Sequence, residues 1–108
     1  MYVYTYGNKK PIISIIGCIH GDEPSGKKII NRLKNYLSIN SKNITGTIKL
    51  IIANEKALKK DNRYIDKDLN RSFPGKKDSR VYEEKLAFKL VKELKNSKSI
   101  IKIFNHTI

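Results

Sequence analysis

Apolar and polar positions follow two different periods along this chain. Tyr2–Tyr6 alternates with a period of two and predicts an edge strand that ends at Gly7. The runs Ile12–Ile19 and Thr47–Ala53 are almost continuously apolar, which is typical of strands that helices cover on both faces. Ser99–Phe104 predicts a third apolar strand near the end of the sequence.

Two other stretches repeat their apolar residues at the spacing of an amphipathic helix. The first runs from about Pro24 to Ser38, and its proline suits the first position of a helix. The second begins at a cap formed by Asp78 or Ser79 and carries glutamates in its first turns, as the helix dipole favours. Residues 40–46 predict a polar turn. Residues 54–77 predict a long irregular loop, and loops of that length in compact domains are usually functional.

The order of these elements predicts the α/β fold class. Strands and helices alternate along the chain, which favours three layers, with a largely parallel or mixed sheet between flanking helices. All 108 residues are expected to form a single domain. Ligands of such sheets bind beyond the carboxyl ends of the strands. His20, the long loop and His106 are predicted to emerge at that edge.

The composition excludes several classes of protein. Hydrophobic residues make up 39% of the chain, which is ordinary for a globular protein and too high for a disordered one. No apolar run approaches the roughly 20 residues of a membrane helix, and the first residues lack the features of a signal peptide. The one cysteine, Cys18, is expected to be an inert core residue of a cytoplasmic protein.

The formal net charge of +13 is high for this length and would favour an anionic partner such as nucleic acid. However, most of the positive charge is lysine scattered through every segment, without an arginine-rich arm or interleaved aromatic residues. We therefore interpret the charge as a compositional bias, and specific binding of nucleic acid is disfavoured.

A candidate metal site follows the first buried strand. His20 and Glu23 are three positions apart in the turn before Pro24, so a ring nitrogen and a carboxylate oxygen can reach one ion. Zinc takes such ligands, and catalytic zinc sites use three protein ligands. The only other histidine is His106, at the end of the last strand. It is either the third ligand or an exposed residue of a frayed terminus.

A second polar cluster lies in the long loop. Arg63, Asn70 and Arg71 suit a substrate with a carboxylate, because a guanidinium binds a carboxylate through two parallel hydrogen bonds. A second arginine can stabilise the oxyanion of a tetrahedral intermediate. Asp66 and Asp68 are predicted to hold these arginines in place. The alternative is a solvated loop whose local ion pairs contribute little to stability.

Together these motifs resemble the succinylglutamate desuccinylase/aspartoacylase family of the zinc carboxypeptidase-like superfamily. The resemblance rests on two stretches, Gly17–Gly26 and Asp66–Gly75, and on Asn54–Ala57 and Arg63-Tyr64 before the second stretch.

The resemblance implies that His20, Glu23 and a later histidine, here His106, hold zinc (Zn²⁺). It implies that Arg63 lies near the polarised carbonyl and that Asn70 and Arg71 bind the substrate carboxylate. The family consists of hydrolases that cleave the amide bond of N-acyl amino acids and similar small molecules. An activated water attacks the carbonyl with the help of a glutamate.

The resemblance covers nearly the whole chain but only the amino-terminal part of a family member. The catalytic glutamate comes later in the family, and Phe104 stands where the family usually has an aspartate before its histidine. We therefore expect a truncated, zinc-peptidase-like deacylase domain that is weakly active or inactive alone. The alternatives are a noncatalytic zinc-binding remnant, or a subunit whose missing half a partner polypeptide supplies. A basic nucleic-acid-binding module is the third interpretation.

Overall fold

The computed structural model describes residues 1–105 of the chain. Within them, the strands are β1 (Tyr2–Tyr6), β2 (Ile12–Gly17), β3 (Thr47–Ile52) and β4 (Ser99–Lys102). The α-helices are α1 (Ser25–Ile39), α2 (Glu55–Lys59) and α3 (Tyr82–Leu94). Single 3₁₀ turns occupy Ser41–Asn43 and Leu69–Arg71.

The strands form one mixed sheet in the order β1-β3-β2-β4. The inner strand β2 runs parallel to both neighbours, with Ile15 opposite Leu50 of β3 and Ile101 of β4. β1 runs antiparallel to β3 at one outer edge. The carboxyl ends of β2, β3 and β4 therefore lie at the same edge of the sheet.

Helices cover both faces of the sheet, so that the core has two parts. On one face, Ile30 and Leu37 of α1 pack in a cluster with Leu50 and Ile52 of β3. On the other face, α3 packs in a cluster that contains Ile51. Successive residues of β3 belong to different clusters because side chains alternate across a strand. The predicted three-layer α/β architecture is therefore confirmed.

β2 ends at Gly17, before the predicted Ile19, because the next residue leaves the extended conformation. Cys18 has a φ of 58°, in the left-handed region. Cys18 is 1% exposed, and burial raises the pKa of its thiol. A buried thiol of raised pKa is a poor nucleophile, as expected of an inert core residue.

The predicted long loop contains a short helix that was not predicted. α2 is only five residues long, and the side chain of Asn54 caps it by accepting a hydrogen bond from the amide of Ala57 at 3.3 Å. α3 begins later than predicted, at Tyr82. The hydroxyl of Ser79 instead accepts a hydrogen bond from the amide of Val81, just before the helix, at 3.0 Å.

β4 is the least covered strand of the sheet. All four of its residues are exposed, and Ile100 and Ile101, whose side chains lie on opposite faces, are 47% and 50% exposed. Within residues 1–105, β4 pairs only with β2, so the backbone groups of its other edge have no strand partner.

No helix among residues 1–105 is long and apolar enough to span a bilayer.

Candidate active site

The turn between β2 and α1 carries the two predicted metal ligands. His20 is 5% exposed, and its Nδ1 atom is in contact with Oε1 of Glu23. The other carboxylate oxygen of Glu23 accepts a hydrogen bond from the backbone amide of Asn105 at 2.7 Å. The structure thus brings together the end of β2, the start of α1 and the segment that follows β4.

Asp68 contacts the opposite side of the same imidazole. Its Oδ1 atom lies 2.8 Å from Nε2 of His20 and 2.9 Å from the backbone amide of Asn70, from which it accepts a hydrogen bond. Burial raises the pKa of Asp68, but the hydrogen bonds from His20 and Asn70 outweigh it, so the pKa lies below its ordinary value. Asp68 is therefore a carboxylate that accepts hydrogen bonds.

This arrangement places a carboxylate beside each ring nitrogen of His20. Asp68 is an acceptor for a proton on Nε2, and a metal ion held with Glu23 would take the place of a proton on Nδ1. Histidines that bind metals commonly donate their other ring N–H to a carboxylate in this way. An imidazole nitrogen and a carboxylate oxygen are ligands that zinc accepts, so the donor set fits zinc. Residues 1–105 supply these two donors, and no group of three ligating side chains in that range could surround an ion.

Arg63 lies beside this pair of ligands. Its guanidinium is 3.8 Å from Oδ1 of Asp22 and 3.9 Å from Oδ2 of Asp68, and its side chain is half-exposed. The carbonyl oxygen of Arg63 accepts a hydrogen bond from the amide of Gly21 at 3.1 Å. The long loop is thereby attached to the turn that holds His20.

These groups line a cleft of about 370 Å³. Its lining residues are His20, Asp22, Glu23, Arg63, Phe104 and Asn105. The Phe104 ring lies 6.2 Å from the His20 ring, centroid to centroid. A cavity of about 340 Å³ at the amino ends of β2 and β3 has no histidine or carboxylate among its lining residues, in contrast to the cleft.

Gly21 allows the loop to approach this turn closely. A Cβ atom at Gly21 would lie 2.2 Å from the carbonyl oxygen of Asn62 and 2.3 Å from the carbonyl carbon of Ala57. Both contacts are with backbone atoms, which cannot rotate away. The position therefore requires glycine.

Asn70 and Arg71 lie on the 3₁₀ turn that follows Asp68, and both are exposed. The structure does not place their side chains in the lining of the cleft. Asp66 does not contact an arginine. Its Oδ2 atom instead accepts a hydrogen bond from the backbone amide of Tyr82, at the start of α3, at 2.8 Å. His106 lies outside the described residues.

Glu83, which no pattern in the sequence singled out, holds the loop that leads into the site. This residue of α3 is completely buried and accepts hydrogen bonds from Asn54 and from the backbone of the long loop. Its position in the first turn of a helix concealed this role.

The fold and the site define an α/β domain with a histidine–carboxylate centre at the carboxyl edge of its sheet. Over residues 9–101, the sequence matches the Succinylglutamate desuccinylase/Aspartoacylase catalytic domain. The chain therefore belongs to this family, as the resemblance of its motifs indicated.

Individual relatives agree with this assignment. The probable aspartoacylase of Prochlorococcus marinus subsp. pastoris is 37% identical over 81 residues, which are 75% of this chain and 27% of the relative. The aspartoacylase of Danio rerio is 34% identical over 93 residues, which are 85% of this chain and 28% of the relative.

A solved structure shares the fold. The crystal structure of an aspartoacylase family protein from Mesorhizobium loti matches with a TM-score of 0.81 and 26% identity, over 94% of this chain and 33% of that one. The chain thus spans between a quarter and a third of the length of these relatives.

Proposed function

We propose that this chain forms the metal-binding part of a zinc-dependent hydrolase that cleaves the amide bond of an N-acyl amino acid or a related small amide. The observation that carries the proposal is the orientation of His20. Its Nδ1 faces Glu23, and its Nε2 is held 2.8 Å from Asp68. Membership of the aspartoacylase family supports amide hydrolysis as the reaction.

His20 and Glu23 are the proposed zinc ligands, and we propose His106 as the third. Asn105, which precedes His106 in the sequence, donates its amide proton to Glu23 and supports this choice. Zinc in such a site polarises a carbonyl oxygen and lowers the pKa of a water molecule to about 7.

The remaining roles belong to the chain's own side chains. Asp68 orients the ring of His20 through Nε2 and lies near the guanidinium of Arg63. Arg63 lines the cleft with a permanent positive charge, which suits the oxygen of a substrate carbonyl as negative charge develops on it. Asn70 and Arg71 are exposed on the adjoining turn and are the proposed ligands of the substrate carboxylate.

The proposal requires a further polypeptide segment for full activity. The cleft is lined by two carboxylates, of which Glu23 contacts His20 and Asp22 lies near Arg63. A free general base is therefore lacking among the described lining residues. The relatives are about three to four times as long as the matched region. The proposed partner is a polypeptide equivalent to their remainder, and the open edge of β4 and its exposed isoleucines suit an added strand.

The proposed compartment is the cytoplasm, because the one cysteine is a buried thiol.

The same absence of a free carboxylate favours a second candidate function, a noncatalytic zinc-binding chain. Both candidates require bound zinc, and only the first requires turnover of substrate. A basic nucleic-acid-binding module requires neither zinc nor turnover.

The decisive experiment measures metal content after purification with zinc and then follows turnover. We expect about one zinc per wild-type chain, a large loss in His20→Ala, and wild-type content in Asp22→Ala, which removes a carboxylate of the same cleft that does not contact His20. Equal zinc content in wild type and His20→Ala would remove His20 from the ligand set and overturn the proposal. With zinc bound, chelator-sensitive hydrolysis of N-acyl amino acids after addition of the remaining segment separates the enzyme from the noncatalytic chain.

A further inference from the structure

The carboxylate of Glu83 is surrounded by hydrogen-bond donors. The residue is 0% exposed. Oε2 accepts hydrogen bonds from the side-chain amide of Asn54 at 2.8 Å and from the backbone amide of Ile65 at 2.9 Å. Oε1 accepts from the backbone amides of Asp66 at 2.8 Å and Lys67 at 2.9 Å. Four donors thus converge on a single buried side chain.

These contacts keep Glu83 ionised although it is buried. Burial raises the pKa of Glu83, but the hydrogen bonds from the loop amides and from Asn54 outweigh burial, so that the pKa lies below its ordinary value. An ionised carboxylate can accept all four hydrogen bonds, whereas a protonated carboxyl group would have to turn one oxygen into a donor.

Glu83 does not take part in the cleft directly. It is absent from the lining residues of the cleft, and its partners lie in the loop and at the start of α2. The three loop amides belong to consecutive residues without helical or strand structure, 65–67. A segment of this kind has no regular backbone hydrogen bonds of a helix or sheet to fix it. The carboxylate of Glu83 instead accepts the hydrogen bonds of its backbone amides.

The anchored segment leads directly into the site. Asp68 follows Lys67 and reaches both His20 and the amide of Asn70. The 3₁₀ turn that begins there carries Asn70 and Arg71. A displacement of residues 65–67 would therefore move the carboxylate that orients His20 and the two residues proposed to bind substrate.

Asn54 connects this anchor to a second element. Its Oδ1 caps α2 by accepting from Ala57, while its Nδ2 donates to Glu83. Asp66 adds a further link, since it accepts from the amide of Tyr82, the residue before Glu83. The loop is thus fixed to both α2 and α3.

We propose that Glu83 is a positioning residue of the active site, which holds backbone residues 65–67 so that Asp68 meets Nε2 of His20. This inference rests on the proposed function for its meaning, but its first readout needs no metal. Glu83 acts through the loop and does not touch the proposed ligands.

The test compares Glu83→Gln with Glu84→Gln. Glutamine has the same shape as glutamate, but its NH₂ group replaces one of the two accepting oxygens. This NH₂ group would face N–H donors that in the wild type donate to a carboxylate oxygen. Glu84 is the matched control, because it is the next residue of α3 and its carboxylate accepts from the hydroxyl of Ser79 and not from the loop amides. Glu84 does pair with the side chain of Lys67 at 3.6 Å, so this control also separates a side-chain ion pair with the loop from the backbone hydrogen bonds made by Glu83.

The first readout is nuclear magnetic resonance of the metal-free chain. In Glu83→Gln we expect exchange of the amides of Ile65, Asp66 and Lys67 to speed up about tenfold or more, while the sheet amides stay protected. We also expect the ¹⁵N shift of Nε2 of His20 to change, because its hydrogen bond with Asp68 is weakened. Glu84→Gln should show neither change.

The second readout is zinc affinity, measured by competition with a chelator of known affinity. A carboxylate that orients a ligating histidine commonly changes metal affinity by about 10–100-fold, and we expect about tenfold weakening in Glu83→Gln. Unchanged ring shifts or unchanged zinc affinity in a folded Glu83→Gln chain would overturn the positioning role, as would equal changes in Glu84→Gln.

Two further arms keep the test decisive. If Glu83→Gln does not fold, Asn54→Ser replaces it, because serine retains an oxygen to cap α2 but is too short to reach Glu83. The same changes are expected in smaller size, and unaltered loop amides and His20 ring would count against the inference. If the wild-type chain binds no zinc, the proposed function fails, whereas the amide and ring signals still decide whether Glu83 positions Asp68.

Discussion

His20 and Asp68 are separated by 48 positions in the sequence, yet Nε2 of His20 lies 2.8 Å from Oδ1 of Asp68. The contact joins the turn after β2 to the loop after α2. The turn follows β2 directly, whereas the loop follows β3 and α2. The contact at Nε2 orients the ring so that Nδ1 faces Glu23. The orientation of the proposed zinc ligand therefore depends on a residue outside the proposed ligand set.

Replacing Asp68 should weaken zinc binding without removing it. In Asp68→Ala, His20 loses the acceptor that orients its ring, and we expect the dissociation constant for zinc to rise about 10–100-fold. Competition with a chelator measures this change. Asp22→Ala is the control, because Asp22 lies in the same cleft and, among residues 1–105, pairs with Arg63 only. Equal affinities of wild type and Asp68→Ala would show that the contact has no role in metal binding.

Adding a methyl group at Gly21 should disrupt both the fold and the site. The Cβ atom would meet two backbone groups at 2.2–2.3 Å, so the loop at Asn62 must move away from the turn. We expect Gly21→Ala to lower the free energy of unfolding by about 2 kcal/mol or more. Urea denaturation checks this value, with the exposed neighbour Asp22→Ala as control. A change of a few tenths of a kcal/mol, as in an ordinary surface variant, would contradict the rigid approach of the loop.

Glu83 should make stability depend on pH in the acidic range. Its pKa is lower in the folded chain than its ordinary value of 4.5, so the ionised form stabilises the fold. This contribution is complete above pH 4.5 and is lost as the pH falls through the folded-state pKa. The difference in unfolding free energy between wild type and Glu83→Gln should therefore shrink below pH 4.5, and other carboxylates cancel in the difference. A constant difference between pH 7 and pH 3 would contradict it.

The chain alone should hydrolyse N-acyl amino acids poorly. General acid–base assistance contributes about 10²–10⁴-fold, and the described cleft offers no free carboxylate for it. Joining the chain to the remaining part of the Danio rerio aspartoacylase should restore chelator-sensitive turnover of a panel of N-acyl amino acids. Robust turnover by residues 1–108 alone would place the general base within this chain.

In the joined protein, Arg71→Ala should raise KM with little change in kcat, because an interaction made equally in the ground state and the transition state changes only binding. Initial rates across substrate concentrations measure both constants. A fall in kcat with an unchanged KM would move Arg71 from substrate binding into the chemical step.

The net charge of +13 should produce only weak binding of DNA. Phosphate contacts by scattered lysines are independent of sequence and weaken steeply with salt. Fluorescence anisotropy with several duplexes should show similar affinities that disappear near physiological salt. A tight, salt-resistant complex with a single sequence would favour the nucleic-acid-binding interpretation.

The sheet was predictable from sequence because isoleucine-rich runs report burial directly. Ile12–Gly17 and Thr47–Ile52 lie inside the predicted strands, and the α1 prediction was accurate to about a residue at either end. α2 was not predictable from periodicity, because five residues are too few to display it. Asn54 before Glu55 was the available signal, since asparagine is a favoured helix cap.

The roles of the carboxylates were harder to predict. Glu83 looks like any acidic residue in the first turn of a helix, and only the long-range approach of residues 65–67 shows that it is a buried anchor. Asp66 was expected beside an arginine but accepts from the start of α3. Contacts between residues 16 to 18 positions apart leave no periodic mark in the sequence.

The exposed strand β4 bears on how this chain behaves during expression. Within residues 1–105 its outer edge is unpaired, and its isoleucines lie on both faces. Such an edge resembles the segments through which proteins aggregate, because another strand can add to it by backbone hydrogen bonds. Lys98 and Lys102 flank these isoleucines, and charges in such positions act as gatekeepers against stacking. Replacing either lysine with an apolar residue should therefore lower the yield of dispersed protein, although the packing of the core stays unchanged.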